Sequence, residues 1–248
     1  MLPMYKRVLL KLSGEQLAGK YEHGIDTEFG AWLAREVKQV VDAGIQVVIM
    51  VGGGNYARGA QLAGGGIRRV TADQIGMLAT MINALALTDI FEHEQVPTHC
   101  MTSLYAEQVA EPFVYRRAIK HLERERVIIV AGGIGRPYLT TDTAALAIAL
   151  ELDCEVVMKA TKVDGVYDKD PAQHADAKRY DVLSLQEAIA NDQIKVMDRA
   201  ALGLAAEHQL PIVVFDAMQP GNILDRLSRQ DIQPFESLAI NSSSIGLP

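Results

Sequence analysis

The sequence Val127-Ile-Ile-Val-Ala-Gly-Gly-Ile-Gly-Arg-Pro-Tyr-Leu-Thr-Thr-Asp142 decides the fold class of this chain. Its first four residues form an apolar run typical of a buried strand, and a helical pattern begins at Ala144. Glycines at a strand end let backbone amides approach a ligand closely, and hydroxyl groups near a helix N-terminus favour phosphate. The segment therefore predicts a strand, a loop and a helix, and indicates a phosphorylated substrate.

The same alternation of strand and helix continues along the chain. Apolar runs predict strands at residues 8–12, 45–51, 127–130, 156–158 and 212–215. Helical periodicity predicts helices at residues 29–43, 72–94, 113–123 and 198–209. This order predicts an α/β fold, a three-layer α/β/α sandwich around a mostly parallel sheet, with ligands beyond the carboxyl ends of the strands. We expect one domain over residues 1–240, in two lobes, and a flexible polar tail at 241–248.

Composition narrows the classes of partner. The 248 residues carry a formal net charge of -7, which argues against general electrostatic binding to nucleic acid or to an anionic membrane. We find no long apolar stretch of signal or membrane type. Cys100 and Cys154 lack metal-ligand spacing, so we interpret both as buried small side chains. These observations predict a cytoplasmic protein.

Two further glycine-bearing loops follow predicted strands. In Lys11-Leu-Ser-Gly14 the lysine lies beside a tight turn. Its side chain either contacts the transferred phosphates or is an ordinary solvated charge. Gly52-Gly-Gly-Asn55 with Arg58 is either an amide cradle with a guanidinium clamp or a close strand-to-helix connection. Neither loop matches the Walker pattern or the GxGxxG dinucleotide fingerprint. The chain is therefore neither a P-loop enzyme nor a typical dehydrogenase.

Three segments keep two interpretations each. Gly64-Gly-Gly66 is a mobile lid or a plain loop, and the apolar helix at 72–94 belongs to the core or to a subunit interface. Asp73 lies near the start of that helix, where the helix dipole favours a negative charge. Residues 159–171 contain Thr161, Tyr167 and Asp170, which either wrap a base and ribose or belong to a turn.

Together these motifs resemble one family closely. Lys11-Leu-Ser-Gly14, Gly52-Gly-Gly-Asn55, Gly76-Met-Leu-Ala79, Thr140-Thr-Asp142, Lys159-Ala-Thr-Lys-Val-Asp-Gly165 and Lys195-Val-Met-Asp198 are similar to bacterial UMP kinases of the amino-acid-kinase superfamily. The likeness runs in order over about the first 240 residues. It implies phosphoryl transfer from ATP to UMP, with magnesium as cofactor and a homohexameric assembly. GTP activation and UTP inhibition are further properties that it suggests.

The resemblance also assigns residues to two substrates. It implies ATP binding by Lys11, Leu12, Ser13, Gly14, Gly54, Arg58, Thr161, Tyr167 and Asp170. It implies UMP binding by Gly53, Asp73, Ile134, Gly135, Arg136, Pro137, Tyr138, Leu139, Thr140 and Thr141. Magnesium is expected on the phosphates, with no protein ligand assigned.

Charge suggests the mechanism. A phosphate acceptor is largely ionised near neutral pH, so catalysis needs in-line positioning and neutralisation of repelling anions. We hypothesise that Lys11, Lys162, Arg58 and magnesium neutralise this charge, and that Asp142 orients the lysines.

The chain departs from the family pattern in two places. Ile134 and Arg136 stand where a hydroxyl and an amide are usual, which bears on pyrimidine selection. The segment Gly19-Lys-Tyr-Glu-His-Gly24 replaces a glycine-richer loop linked to GTP activation. Two alternatives stay open: a same-fold kinase of another small acid, and a UMP- or UTP-sensing protein that has lost turnover.

Overall fold

The computed structural model describes residues 5–57, 62, 64–180, 182–194 and 196–228. Arg58, Lys195 and the expected tail at 241–248 lie outside the described residues.

A seven-stranded sheet forms the centre of the fold. Its strands are β1 (Arg7–Leu12), β2 (Gln46–Val51), β3 (Thr98–Thr102), β4 (Glu111–Pro112), β5 (Val127–Ala131), β6 (Val156–Thr161) and β9 (Ile212–Asp216). They lie in the order β4-β3-β5-β2-β1-β6-β9, and every neighbouring pair is parallel. A small antiparallel ribbon pairs β7 (Val166–Tyr167) with β8 (Arg179–Tyr180). The predicted α/β sandwich around a mostly parallel sheet is confirmed.

Helices cover both faces of the sheet. In chain order they are α1 (Gly14–Leu17), α2 (Thr27–Asp42), α3 (Arg69–His93), α4 (Tyr115–Leu122), α5 (Thr141–Glu151), α6 (Leu185–Ala190), α7 (Arg199–His208) and α8 (Asn222–Ser228). The predicted helices are present, with ends that shift by a few residues. Side chains cap several of them: Asp26 accepts from Glu28 N and Phe29 N at the start of α2, which satisfies backbone donors that have no partner within the helix.

Two hydrophobic cores lie on opposite faces of the sheet. Alternate residues of β1 enter different cores, with Leu10 on the side of α2 and α3 and Leu9 on the side of α5 and α7. Both leucines are fully buried, and burial of one such side chain contributes about 1.5–3 kcal/mol to folding. Because both faces are covered, strands β1, β2, β5, β6 and β9 are mostly apolar, which is why their sequence pattern indicated them.

Helix α3 requires one correction to the sequence analysis. It is long and apolar enough, by length and composition, to cross a membrane, although no such segment was expected. In the structure it packs against α2, β3 and β5, as the core helix of a globular domain does. Leu78 and Ile82 on this helix remain exposed, so its outer side presents an apolar face.

Both cysteines are buried and free, as predicted. Burial raises the pKa of the Cys100 thiol to about 11 and that of Cys154 to about 12. Neither thiol is therefore a nucleophile near neutral pH.

Candidate active site

Two lysines lie side by side near the carboxyl edge of the sheet. Lys11 in β1 is the direct register partner of Lys159 in β6. Both belong to the face of the sheet that Leu9 and Val157 share, and α5 covers this face. Two parallel strands therefore bring two ammonium groups to the same place, where like charges repel unless an anion separates them.

Asp142 supplies that anion. Its Oδ1 lies 2.6 Å from Lys11 Nζ and its Oδ2 lies 2.6 Å from Lys159 Nζ. The aspartate belongs to the first turn of α5, which Thr140 caps by accepting from Asp142 N at 3.0 Å and Thr143 N at 3.3 Å. We call Lys11, Asp142 and Lys159 the lysine–aspartate triad.

The triad is nearly closed to solvent, so its charges interact strongly. Burial by itself raises the pKa of Asp142, but Lys11 and Lys159 outweigh this effect and lower the pKa. Burial lowers the pKa of Lys159, the charge of Lys11 lowers it further, and Asp142 opposes both effects. Asp142 is thus ionised at neutral pH, with one oxygen engaged by each lysine.

The second lysine beside Asp142 differs from the one expected. We hypothesised that Asp142 orients Lys11 and Lys162, but the two carboxylate oxygens contact Lys11 and Lys159. Lys162 is exposed and follows the end of β6. The difference arises because Lys159 continues an apolar strand run, and that pattern does not mark its charge as part of a site. Its register with Lys11 depends on sheet topology, which the sequence does not display.

Asp198 ties the triad region to α7. It caps that helix by accepting from Ala201 N at 2.9 Å, and it accepts from Thr143 Oγ1 at 2.9 and 3.0 Å. The Thr140 hydroxyl also donates to Asp198. Lys159 Nζ donates in addition to the carbonyl of Val196. These bonds fix the start of α5, and with it the position of Asp142.

The first two glycine loops approach each other at van der Waals distance. A Cβ placed on Gly14 would lie 2.5 Å from Gly54 N and 2.6 Å from Asn55 Oδ1, so a larger residue does not fit. Asn55 and Asn83 exchange two amide hydrogen bonds, at 2.9 and 2.8 Å, and Asn83 Nδ2 also donates to Gly52 O at 2.7 Å. Asn83 lies in the middle of α3, and no local sequence pattern indicates that it contacts this loop.

One cavity of about 360 Å³ opens on one side of the triad. Its walls are mainly apolar and include Lys159 together with three residues predicted to bind ATP, namely Thr161, Tyr167 and Asp170. The other lining residues are Val163, Gly165, Val166, Lys169, Pro171, Gln193, Ile194, Val196 and Val214. An apolar cavity of this size with a few polar groups suits a flat heterocycle attached to a polar chain. We call it the donor cavity.

A second, smaller cavity of about 140 Å³ lies at the loop before α5. It is lined by six of the residues predicted to bind UMP, which are Gly53, Asp73, Arg136, Leu139, Thr140 and Thr141. Ala57, Ala72, Gly76, Met77, Thr80 and Gly133 complete the lining. We call it the acceptor cavity. Its lining residue Thr141 directly precedes Asp142 of the triad, and Lys159 of the triad lines the donor cavity.

Asp73 has a structural role beyond a helix charge. Its Oδ2 accepts from the backbone amide of Tyr138 at 2.8 Å, and Arg69 Nε lies 2.8 Å from both carboxylate oxygens. Tyr138 has a left-handed backbone with φ of 70°, and the Arg69 guanidinium lies 5.3 Å from its ring. Asp73 therefore holds the acceptor loop in a conformation that costs about 1–3 kcal/mol for a residue other than glycine.

The remaining acceptor-loop residues are distributed around this cavity. Gly135 N closes a turn onto Gly132 O at 2.9 Å, and Ile134 packs against the core below. Pro137 and Tyr138 follow in the same loop, with Tyr138 exposed. On the donor side, Leu12 is fully buried, and the Ser13 hydroxyl caps α1 by accepting from Glu15 N at 3.2 Å.

The fold and the site together define a class of α/β protein with a buried charge cluster near the carboxyl edge of a parallel sheet and cavities beside the neighbouring loops. A family model described as "Amino acid kinase family" matches residues 6–216, so the chain belongs to the amino acid kinase family. This confirms the fold family predicted from the sequence.

Solved structures give a closer comparison. A UMP kinase from Bacillus anthracis is 39% identical over 88% of this chain and 90% of its own, with a TM-score of 0.84. A UMP kinase from Ureaplasma parvum is 30% identical, with 91% and 96% of the two chains covered and a TM-score of 0.84. A uridylate kinase from Archaeoglobus fulgidus is 26% identical over 89% and 94%, with a TM-score of 0.68. The predicted resemblance to UMP kinases is confirmed.

Proposed function

We propose that this protein is a UMP kinase that transfers the γ-phosphoryl group of ATP to UMP and so serves pyrimidine nucleotide synthesis. The observation that carries the proposal is the lysine–aspartate triad, with Lys159 in the lining of the larger cavity and Asp142 directly after Thr141 of the smaller one. The similar solved structures are UMP kinases, which supports UMP as the acceptor, and ATP as the donor is part of the proposal. In this proposal, residues 1–240 form one domain.

ATP enters the donor cavity in this proposal. Its base lies among the apolar residues with Tyr167 and Asp170, and its phosphates run toward Lys11, Ser13, Gly14 and Gly54 at the glycine loops. UMP occupies the acceptor cavity, where Asp73 and the 134–141 loop surround it. The phosphate groups of both nucleotides then point at the triad. This brings the reacting groups together, and the protein forms no covalent bond with either substrate.

The triad supplies charge rather than proton transfer. The phosphate of UMP is already largely ionised, so its oxygen needs no strong base. Asp142 does not serve as one, because its carboxylate is ionised and both oxygens contact lysines. Its proposed role is to hold Lys11 toward the transferred group and to keep Lys159 beside it. Lys162 and Arg58 are proposed to approach the phosphates once ATP is bound.

Magnesium is proposed to arrive on the ATP phosphates. The Asp142 carboxylate contacts two lysines, and Asp198 accepts from two threonines and a helix amide. Neither carboxylate is therefore available to coordinate a hard cation directly, which fits an ion held mainly by phosphate oxygens and water. When bound, it neutralises charge on the transferred phosphoryl group.

Assembly and regulation belong to the same proposal. A homohexamer in the cytoplasm is proposed, and the exposed Leu78 and Ile82 on α3 support a subunit contact at that face. GTP activation and UTP inhibition are proposed as well, and both can be tested by addition to the activity assay.

Coupled ADP release with a panel of acceptors tests the function. UMP should be phosphorylated in preference to CMP, dUMP, carbamate and glutamate, with and without GTP. Preference for carbamate or glutamate would assign the chain to a kinase of small acids. Tight UMP binding by a folded protein without ADP release would indicate a sensor.

A further inference from the structure

His99, Glu111 and His121 form a compact cluster away from both cavities. His99 lies in β3, Glu111 begins the edge strand β4, and His121 lies in the last turn of α4. One ligand atom from each of the three lies within 4.8 Å of the other two. We call this group the His–Glu–His cluster, and its geometry is set by three separate elements of the fold.

A single carboxylate oxygen joins the two imidazoles. Glu111 Oε2 lies 2.5 Å from His99 Nε2 and 3.1 Å from His121 Nε2. The two rings are stacked, with centroids 3.9 Å apart and planes inclined by 19°. In zinc sites nitrogen and oxygen ligands lie about 2.0–2.2 Å from the ion, which places them roughly 3–3.5 Å from one another. The two oxygen-to-nitrogen distances in the cluster, 2.5 and 3.1 Å, are close to that spacing.

A fourth side chain holds the Glu111 carboxylate in place. Arg117 Nη1 contacts the other carboxylate oxygen at 3.2 Å, as the outer partner of a ligating carboxylate commonly does.

We propose that the His–Glu–His cluster binds a divalent transition-metal ion of the zinc class through His99 Nε2, His121 Nε2 and one oxygen of Glu111. Two imidazoles and one carboxylate favour zinc, copper or nickel over magnesium, which prefers oxygen ligands. Water completes the coordination. Because the ligands come from β3, β4 and α4, a bound ion fastens the edge strand and this helix to the sheet and stabilises the folded state.

Arg126 weakens the affinity of this site for a metal ion. Its Nη1 lies 3.4 Å from His121 Nδ1, and a guanidinium can only donate, so Nδ1 accepts and Nε2 carries the proton. A metal ion takes the Nε2 lone pair, so that proton leaves to solvent and Nδ1 takes one up in its place. The new Nδ1–H then faces a donor, and Arg126 has to turn away. Arg126→Gln offers a carbonyl oxygen instead, which should tighten binding by about 10-fold.

Titration of the nucleotide-free, magnesium-free full chain with ZnCl₂ tests the proposal. Calorimetry should show one ion per chain, and zinc should raise the temperature of unfolding. His99→Gln and His121→Gln should each weaken binding by at least about 10-fold. His93→Gln is the matched control, since His93 is exposed on α3 outside the cluster and should leave the affinity unchanged.

Cobalt supplies an independent measurement that needs no variant. CoCl₂ added to the wild-type chain should give the intense visible absorption of a four- or five-coordinate cobalt ion with nitrogen ligands. Addition of zinc should abolish this absorption. The proposal is overturned if the wild type binds no zinc or if His99→Gln and His121→Gln, shown to be folded by circular dichroism, bind it with wild-type affinity. A cobalt spectrum identical to that of the aqueous ion would also overturn it.

Discussion

Lys11 and Lys159 are direct partners on adjacent parallel strands, and one carboxylate, that of Asp142, contacts both. The arrangement concentrates positive charge beside the donor cavity, and it is tolerable because the carboxylate contacts both ammonium groups. Removing Asp142 leaves two buried ammonium groups without an anion, and removing either lysine leaves one Asp142 oxygen without its partner. The predictions for this site therefore concern stability as well as turnover.

Asp142→Asn should abolish most turnover and lower the free energy of unfolding by about 3–5 kcal/mol, because two buried lysines lose their shared partner. Urea unfolding at pH 7 measures the loss. Asp42→Asn is the matched control: Asp42 pairs with Lys38 on the exposed side of α2, and such pairs contribute about 0.2–1 kcal/mol. Equal losses in the two variants would contradict the charge argument.

The stabilisation from Asp142 should also depend on pH. Its pKa is lowered in the folded state, so its contribution is complete above the pKa of about 3.9 in the unfolded chain. It is lost as the pH falls below that value toward the pKa in the folded state. Urea unfolding of wild type and Asp142→Asn from pH 6 to pH 3 should show the difference shrinking at the acidic end. A constant difference would show that Asp142 stabilises through packing alone.

Lys159 and Lys162 should respond differently to replacement. Lys159→Met should lower both turnover and stability, because Asp142 and the Val196 carbonyl lose a buried donor. Lys162→Met should lower turnover while leaving the unfolding midpoint nearly unchanged, since Lys162 is exposed. Steady-state kinetics and thermal unfolding of both variants make the comparison. Wild-type turnover in Lys162→Met would remove Lys162 from the proposed neutralising set.

Much of the fold followed from local patterns, whereas the contacts of the site did not. The apolar runs of β1, β2, β5, β6 and β9 are long enough to be seen in isolation. Strand β3 was missed because it reads Thr-His-Cys-Met-Thr, and β4 because it has two residues. The glycine loops marked the correct edge of the sheet. The partnership of Lys11 with Lys159, and of Asn55 with Asn83, depends on register and helix packing, and no local pattern encodes either.

The side-chain amides of Asn55 and Asn83 should contribute cooperatively to the free energy of unfolding. Asn83→Ala leaves Asn55 with fewer partners and frees Gly52 O, so we expect a loss of about 1–3 kcal/mol in the free energy of unfolding. A double-mutant cycle with Asn55→Ala should give a coupling energy of at least about 0.5 kcal/mol. Additive losses would mean that the two amides act independently.

The two thiols should be unreactive in the native protein. Cys100 and Cys154 are buried, and burial raises their pKa values to about 11 and about 12, so almost no thiolate exists at pH 8. A disulfide reagent such as DTNB should label neither residue in the folded chain and both in guanidinium chloride. Cys100→Ser and Cys154→Ser assign any residual labelling to one position. Rapid labelling of the folded wild type, at a rate independent of denaturant, would show that a thiol is open to solvent and contradict the packing of β3 or of the residues before β6.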